Sequence, residues 1–329
     1  MNSLSSEIRP LLNLNADRSH GWDDRTKGQA PHKPFLLLSI LDRIEQGVIH
    51  DNKIELTQDL IDTFFMYWNG IMGEDKITTI ALPFFYMKSE PFWDLRYRDG
   101  MNAYINSPSL GGLQARVSFA VIEPDLFNKM MDTPSRERIK QLLVSHYFSK
   151  PTSEKVMQIG SFNINAWDYS EEVQNLAAEP FVAYQSDHER RKLVQRYEQV
   201  RESGFSTTVR KNYNYHCAVC RNRLVTPGGQ TLVEGAHIIP WSESNNDDPR
   251  NGLSLCRTHH WMFDKLMLTI RDDYSIRLSY WVERNENRVE ETVELKNNQI
   301  LLPKNERYLP SSEALLHHNE RFNQFHKEN

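Results

Sequence analysis

Cys217 and Cys220 form a C-x2-C pair, and Cys256 and His259 form a C-x2-H pair. Together they use all three cysteines of the chain. Two such pairs offer four sulfur and nitrogen donors, the set that closes a tetrahedral structural zinc site. An odd cysteine count speaks against a disulfide framework, and clustered cysteines in a reducing compartment point to metal. Zinc contributes on the order of 10–16 kcal/mol of apparent folding free energy to small modules. That suits a segment with few large apolar residues between the pairs. The spacing by itself predicts a zinc module and no particular reaction. Interleaved with these ligands lie His237, Asn251, His260 and Asp264. Histidine titrates near neutral pH and so suits proton transfer or metal ligation. His260 and Asp264 are four residues apart, so a helix would project both from one face, as two ligands or as a plain ion pair.

Those side chains need elements to hold them. Leu232–Ile239 (LVEGAHII) reads as a strand ending at Pro240, with His237 near its end. NNDDPRNG is a turn-forming segment that contains Asn251. Leu253–Leu255 reads as a second short strand, and a helix is predicted over His259–Leu266. Strand, loop, strand and helix carrying His, Asn and His in that order resemble the HNH (ββα-metal) nuclease family, through AHIIPW, NGLSLC, HH and FD as they stand here. The resemblance implies roles residue by residue. His237 matches the general base that deprotonates a water aimed at the scissile phosphorus. Asn251 matches the residue that keeps loop and base in register. His260 matches a ligand of a catalytic divalent ion (magnesium, manganese or nickel), and Asp264 stands where several members carry a second ligand. Many members have Asp immediately before the base, where this chain has Ala236. Asp264, or failing that Glu234, is expected to make up the ligand count. The resemblance extends into LLPKNERYLPSSEALLHHNERF, where His317 and His318 are expected at the surface.

With 329 residues the chain is long enough for two domains. Its 39% hydrophobic and 25% charged residues are ordinary for globular proteins. No apolar run approaches the ~20 residues needed to span a bilayer, and the first residues lack a signal-peptide pattern. A cytoplasmic location and no membrane partner are therefore expected. A net charge of −5 argues mildly against a nucleic-acid partner, although local patches outweigh totals.

Along the chain, residues 1–30 are polar and turn-rich. HKPFLLLSILDRIEQG predicts a buried helix begun at Pro34 and stopped at Gly47. ELTQDLIDTFFMYWNGI predicts a second, with Thr57 as N-cap. The aromatic, proline-punctuated stretch Ile77–Gly100 favours extended segments and turns. Ala115–Ile122 reads as a strand or short helix, and Pro124–Met131 and Ser135–Phe148 as helices. SKPTSEK has linker composition, and His188–Ser203 predicts a charged helix stopped by Gly204. The fold class expected is α+β: a mostly helical N-terminal domain over 1–150, a linker with a charged helix over 151–204, and a zinc-stabilised nuclease domain over 205–329.

HKPFLLLSILDRI, LPFF followed by PFWDL, and IKQLLVSHYF resemble the DNA sulfur-binding domain, over roughly Pro31–Phe148. That domain occurs fused to HNH modules in type IV, modification-dependent restriction endonucleases. The resemblance implies double-stranded, phosphorothioated DNA as partner. Sulfur is larger, softer and more weakly hydrated than oxygen, so an apolar notch can favour it while basic groups hold the neighbouring phosphates. The family builds the notch around a proline, here Pro83 within Leu82–Tyr86, with Tyr86 beside it. His32 and Lys33 match the basic entry to the first helix, and Arg116 is a further candidate. Phe84, Phe85, Phe92 and Trp93 are expected in the core. An alternative mark is methylated or hydroxymethylated cytosine, read in an aromatic-walled pocket. A catalytically dead zinc protein that binds DNA is disfavoured by the complete His237, Asn251 and His260 set. An HNH site acts on one strand at a time, so a homodimer is expected for double-strand cutting.

Overall fold

The computed structural model describes residues 6, 8–19, 21–101, 108–184, 198–284 and 289–328. The fold is α+β, with helices outweighing three two-stranded antiparallel sheets. Two compact units divide the chain. The first is Met1–Asn165 with Val225–Gln230, and the second is Ala166–Leu224 with Thr231–Asn329. Among the described residues no helix is long and apolar enough to cross a membrane.

The first unit is built on α1 (His32–Glu45), whose residues from Lys33 to Ile44 are all buried. Its Phe, Leu and Ile residues cover nearly the whole circumference, so it must be surrounded. Its polar members carry partners inside. The Asp42 carboxylate accepts from the Tyr67 hydroxyl at 2.7 Å and the Asn163 amide at 3.0 Å, and faces the Lys140 ammonium at 2.9 Å. α2 (Gln58–Met72) starts where Thr57 caps it by accepting from the Leu60 N–H, as its sequence predicts. The lead-in is anchored by Ile8, Leu11 and Leu14, which join the core.

Ile77–Gly100 departs from the expected extended course. It contains α3 (Ala81–Tyr86) and a 3-10 turn over Met87–Ser89 before β1 (Trp93–Tyr97). Pro83 is the third residue of α3, where a helix N–H has no internal acceptor and proline costs nothing. α4 (Leu110–Arg116) leads into β2 (Val117–Ile122), which pairs with β1 from Trp93↔Ile122 to Tyr97↔Val117. α5 (Pro124–Met131) and α6 (Thr133–Tyr147) follow, both capped by a side-chain carboxylate, Glu123 and Asp132. Phe84, Phe85, Phe92 and Trp93 are core residues, as expected.

The expected linker is corrected by α7 (Lys150–Leu176), a continuous helix of 27 residues. Pro151 sits in its first turn, where proline is tolerated. Its buried positions are 152, 156, 160, 163, 166, 170 and 173, a helical stripe of Thr, Val, Gly, Asn, Ala, Ser and Val. A stripe so small and polar carries no hydrophobic signal. Gly160 is required by closeness, since a Cβ there would stand 2.7 Å from the Tyr67 hydroxyl. The charged helix expected over His188–Ser203 falls partly on residues 185–197, which lie outside the described residues.

In the second unit α8 (Glu198–Asn212) runs through Gly204 rather than stopping there. A Cβ on Gly204 would meet the Ala166 carbonyl at 2.8 Å and the Tyr169 ring at 2.9 Å, so the glycine serves helix packing. β3 (Val233–His237) pairs with β4 (Gly252–Cys256), Ala236↔Leu253 and His237↔Gly252. The short α9 (Trp241–Ser244) and a 3-10 turn over Pro249–Asn251 lie between them. α10 (Arg257–Asp264) continues directly from β4. α8 packs on one face of the hairpin, where Gly235 and Gly252 admit Ser206, Val209 and Phe205. β5 (Leu268–Ile270) pairs with β6 (Ile276–Leu278), and α11 (Tyr280–Glu283), α12 (Glu290–Val293) and α13 (Ser312–Glu328) complete the unit. His318 on α13, expected at the surface, is buried. Its ring stacks on Phe263 at 3.7 Å and its Nδ1 bonds the Thr269 hydroxyl at 2.8 Å.

Val225–Gln230, expected in the nuclease domain, belongs to the first unit. Gly228 and Gly229 make this possible. A Cβ at either would lie 2.6 Å from the Phe65 or the Leu110 side chain, and the Gln58 amide donates to the Gly229 carbonyl at 2.7 Å.

Candidate active site and metal centre

Cys217 and Cys220 sit in the turn after α8, pinned to β4 where the Ala218 N–H donates to the Ser254 carbonyl at 2.7 Å. Cys256 ends β4 and His259 lies in the first turn of α10. Strand and helix thus bring the two pairs together, with all four ligand atoms within 4.8 Å of one another. His259 Nδ1 is 3.1 Å from Cys256 Sγ and 3.6 Å from Cys217 Sγ. Around a tetrahedral zinc, donors stand about 3.5–3.8 Å apart, so this set fits the ion. Its electrostatics agree. Thiol hydrogen bonds with Cys220 and Cys256 push Cys217 well up, and those from Cys217 and Cys220 hold Cys256 well down. Burial disfavours charge on His259, yet its bonds to Cys220 and Cys256 outweigh that and raise it to about 9. A half-buried thiolate beside an imidazolium is a donor set that a divalent cation satisfies by displacing protons.

His237 closes β3 on the face covered by α8. Its ring stacks on Phe205 at 3.7 Å with the planes 8° apart. Its Nε2 lies 2.8 Å from Asp247 Oδ1. Asn251 is fully buried and ties the turn after β3 to the loop before β4. Its amide nitrogen donates to the Ile239 and Asn246 carbonyls, both at 3.0 Å, and its amide oxygen accepts from the Ile239 N–H at 2.8 Å. The Ile238 N–H donates to its backbone carbonyl at 2.8 Å. Five-residue strands alternate faces, so Glu234 and Ala236 point away from α8, toward α10. There His260 Nδ1 is 3.2 Å from Glu234 Oε2, and His260 Nε2 is 3.6 Å from Asp264 Oδ2. Among the described residues no hydrogen bond or ion pair joins His237, the last residue of the strand, to His260. Ala236 is buried and offers no donor. An imidazole and a carboxylate, with water and a phosphate filling the other positions, fit a hard divalent ion of the magnesium or manganese kind.

In the first unit, His32, Lys33, Pro83 and Tyr86 line a single cavity of about 640 Å³ with Trp22, Asp17 and others. Arg116 ends α4 and is not among its lining residues. His32 is neutral: burial pushes it down to about 4, and its Nε2 bonds the Thr78 hydroxyl at 3.0 Å. Lys33, expected as a cationic entry, is only 7% exposed and forms a buried ion pair with Glu90, with Ser89 at 2.9 Å. Its charge is matched inside the protein, because a lone buried ammonium would be far costlier. Lys88, not singled out from the sequence, lines the same cavity with its ammonium 3.7 Å over the Phe85 ring.

The sequence reading also missed Asp247 and Phe205, which touch His237, and Arg201 and Tyr169, which hold Asp247. The doubled aspartate in NNDDP was visible but nothing in it separates the inward residue from the turn-capping one. Asp248 caps the 3-10 turn by accepting from the Arg250 N–H. Asp247 points inward.

Residues 217–271 match the HNH endonuclease family model. Over this segment the chain is similar to HNH endonucleases. No curated relative matches the chain. Among solved structures, a "Modification dependent TagI restriction endonuclease" is similar at 21% identity and a TM-score of 0.27. That likeness covers 36% of this chain and 36% of that one, so the chain spans about a third of that protein's length. A TM-score so low implies neither a shared fold nor a shared substrate.

Proposed function

We propose that this chain is a type IV restriction endonuclease, reading phosphorothioated DNA with its first unit and hydrolysing phosphodiester bonds with its second. The observation that carries the reading is the cavity of the first unit. Four residues scattered between positions 32 and 86 line one largely apolar space. The neutral His32 and the matched Lys33–Glu90 pair leave little there to reward a strongly hydrated oxygen. A weakly hydrated sulfur loses less on entering such a space, with Pro83 and Tyr86 as its apolar contacts. The exposed Lys88 suits an adjacent phosphate.

In the second unit His237 accepts a proton from the attacking water, and Asn251 holds the loop that aims it. His260 and Asp264 would hold a divalent ion, while Glu234 accepts the Nδ1–H of His260 and fixes the ring, as carboxylates behind metal-bound histidines do. When bound, that ion supplies stabilisation of charge on the phosphate and the departing 3′ oxygen. Cys217, Cys220, Cys256 and His259 hold a structural zinc away from substrate. Two such centres, in a homodimer, account for cutting both strands.

One observation favours a second reading. The cavity is roomier than one sulfur atom needs, has Trp22 and Tyr86 in its walls, and presents the Asp17 carboxylate. Aromatic walls with an acceptor for the amino group of cytosine suit a flipped, methylated or hydroxymethylated base. Incubating phosphorothioated, methylated, hydroxymethylated and plain duplexes of one sequence with the enzyme and manganese separates the readings. Cleavage of the sulfur-bearing duplex alone is expected. Cleavage of a methylated duplex alone transfers the cavity to base flipping, and equal cleavage of all four removes both.

A further inference from the structure

Asp247 is the most enclosed charged group near the proposed base. Its carboxylate is 2% exposed, and three groups from three elements converge on it. His237 Nε2, from β3, is 2.8 Å from Oδ1. Arg201, from α8, donates Nη1–H to the same oxygen at 2.7 Å. Tyr169, from α7, donates its hydroxyl to Oδ2 at 2.6 Å. Arg201 is itself only 7% exposed and lies over the Trp241 ring at 4.1 Å, so its place is fixed by packing. Phe205 holds the plane of the imidazole by stacking. The neighbouring Asp248 shows what a purely structural carboxylate does in this loop. It caps a turn and pairs with Arg250 at 2.6 Å, two residues away.

We infer that Asp247 is the positioning residue of His237, and that it makes Nδ1 the nitrogen that takes the proton. The inference rests on the reading of His237 as general base. An ionised carboxylate only accepts hydrogen bonds, and Arg201 supplies its countercharge. Nε2 must then carry the ring's hydrogen, which leaves the lone pair on Nδ1. No described residue is hydrogen-bonded to Nδ1. In the reaction an O–H bond of water breaks and its proton goes to Nδ1. The water oxygen bonds to phosphorus as the P–O3′ bond breaks, and the electron pair of that bond stays on the 3′ oxygen, which takes a proton from solvent. The products are a 5′-phosphate and a 3′-hydroxyl. Asp247 then faces an imidazolium and stabilises it without taking its proton, the division of labour known from serine hydrolase triads.

Asp247→Asn tests this in the full-length protein. The neutral amide no longer stabilises the imidazolium in either orientation, and where its NH2 takes the place of Oδ1 it also faces Nε2 and drives the hydrogen to Nδ1, the wrong tautomer. We expect kcat to fall at least about 100-fold with KM for DNA nearly unchanged. Asp247→Glu should recover part of the loss. Tyr169→Phe, which leaves the carboxylate and its bond to His237 in place, should cost only several-fold. Nitrogen-15 spectra of histidine-labelled protein give a readout free of activity. The parent should show His237 protonated at Nε2, and Asp247→Asn should show a population protonated at Nδ1. A folded Asp247→Asn enzyme with parental kcat overturns the inference, as does a parent protonated at Nδ1. Should Asp247→Asn not fold, the parent spectrum and Tyr169→Phe still decide. Failure of the underlying reading looks different: His237→Ala would cleave as fast as the parent, whatever the tautomer.

Discussion

His260 meets its two carboxylates through different nitrogens, Glu234 at Nδ1 and Asp264 at Nε2. One imidazole nitrogen binds one ion, so the two acids cannot be equivalent. In the proposed site, with an ion at Nε2, Asp264 would be a co-ligand and Glu234 would stand behind the ring. Glu234→Gln keeps the shape and weakens only the acceptor. It is expected to raise the manganese concentration for half-maximal cleavage about 10–100-fold, measured by titrating the ion against cleavage rate. The proposed zinc ligands should behave otherwise. Cys220→Ser should lose one zinc per chain by elemental analysis and lower Tm by at least about 10 °C, while the ion dependence of any remaining activity stays put. These two sets were separable in the sequence because ligand pairs and HNH residues each have characteristic spacing. Asp247 was not, since its importance comes from Tyr169 and Arg201, which are remote in sequence. Lys33 was legible as a residue of the cavity, but its partner Glu90 lies 57 residues away and no local pattern couples them.

At the scale of elements, the legible pieces have strong apolar periodicity and clear ends: α1, α2 with its Thr57 cap, the β3–β4 hairpin and α10. α7 and α8 were obscured by the very residues that let them pack closely. A glycine in a helix ordinarily costs up to about 1 kcal/mol relative to alanine, so Gly204 looked like a stop. In the structure the missing Cβ is what admits the Ala166 carbonyl. Two effects therefore compete in Gly204→Ala, a gain in helix propensity and a clash with backbone that cannot swing away. Overpacking costs about 1–3 kcal/mol, so net destabilisation is expected. Gly111→Ala, where a Cβ would meet nothing within 4 Å, should be neutral or slightly stabilising. Urea titration of both variants checks the contrast, and a stabilised Gly204→Ala protein would mean that α8 stands off from α7.

At the scale of the whole molecule, each unit holds a histidine that burial makes harder to protonate, and this ties the stability of both to pH. Burial lowers His32 in the first unit to about 4 and His318 in the second to about 3, from 6.5. A depressed value means that the unfolded chain takes up the proton more readily than the folded one. Stability is then complete above pH 6.5 and is lost as pH falls through the folded value. The gap for His32 corresponds to roughly 3 kcal/mol when fully expressed. The turn-capping carboxylate Asp132 is held below 3.8 by its side-chain and backbone bonds with Ser135 and acts only in more acid solution. Burial raises Asp42, despite Lys140, and so it opposes the loss. The parent alone would blend these effects, so the useful measurement is a difference. His32→Gln keeps a donor for Thr78 and removes the titration. Between pH 6.5 and 4 the Tm of the parent should fall more steeply than that of His32→Gln, and above pH 7 the two curves should run parallel. Parallel curves throughout would mean that His32 is protonated in the folded protein. The cavity would then carry a cation, a better host for an oxygen anion than for sulfur.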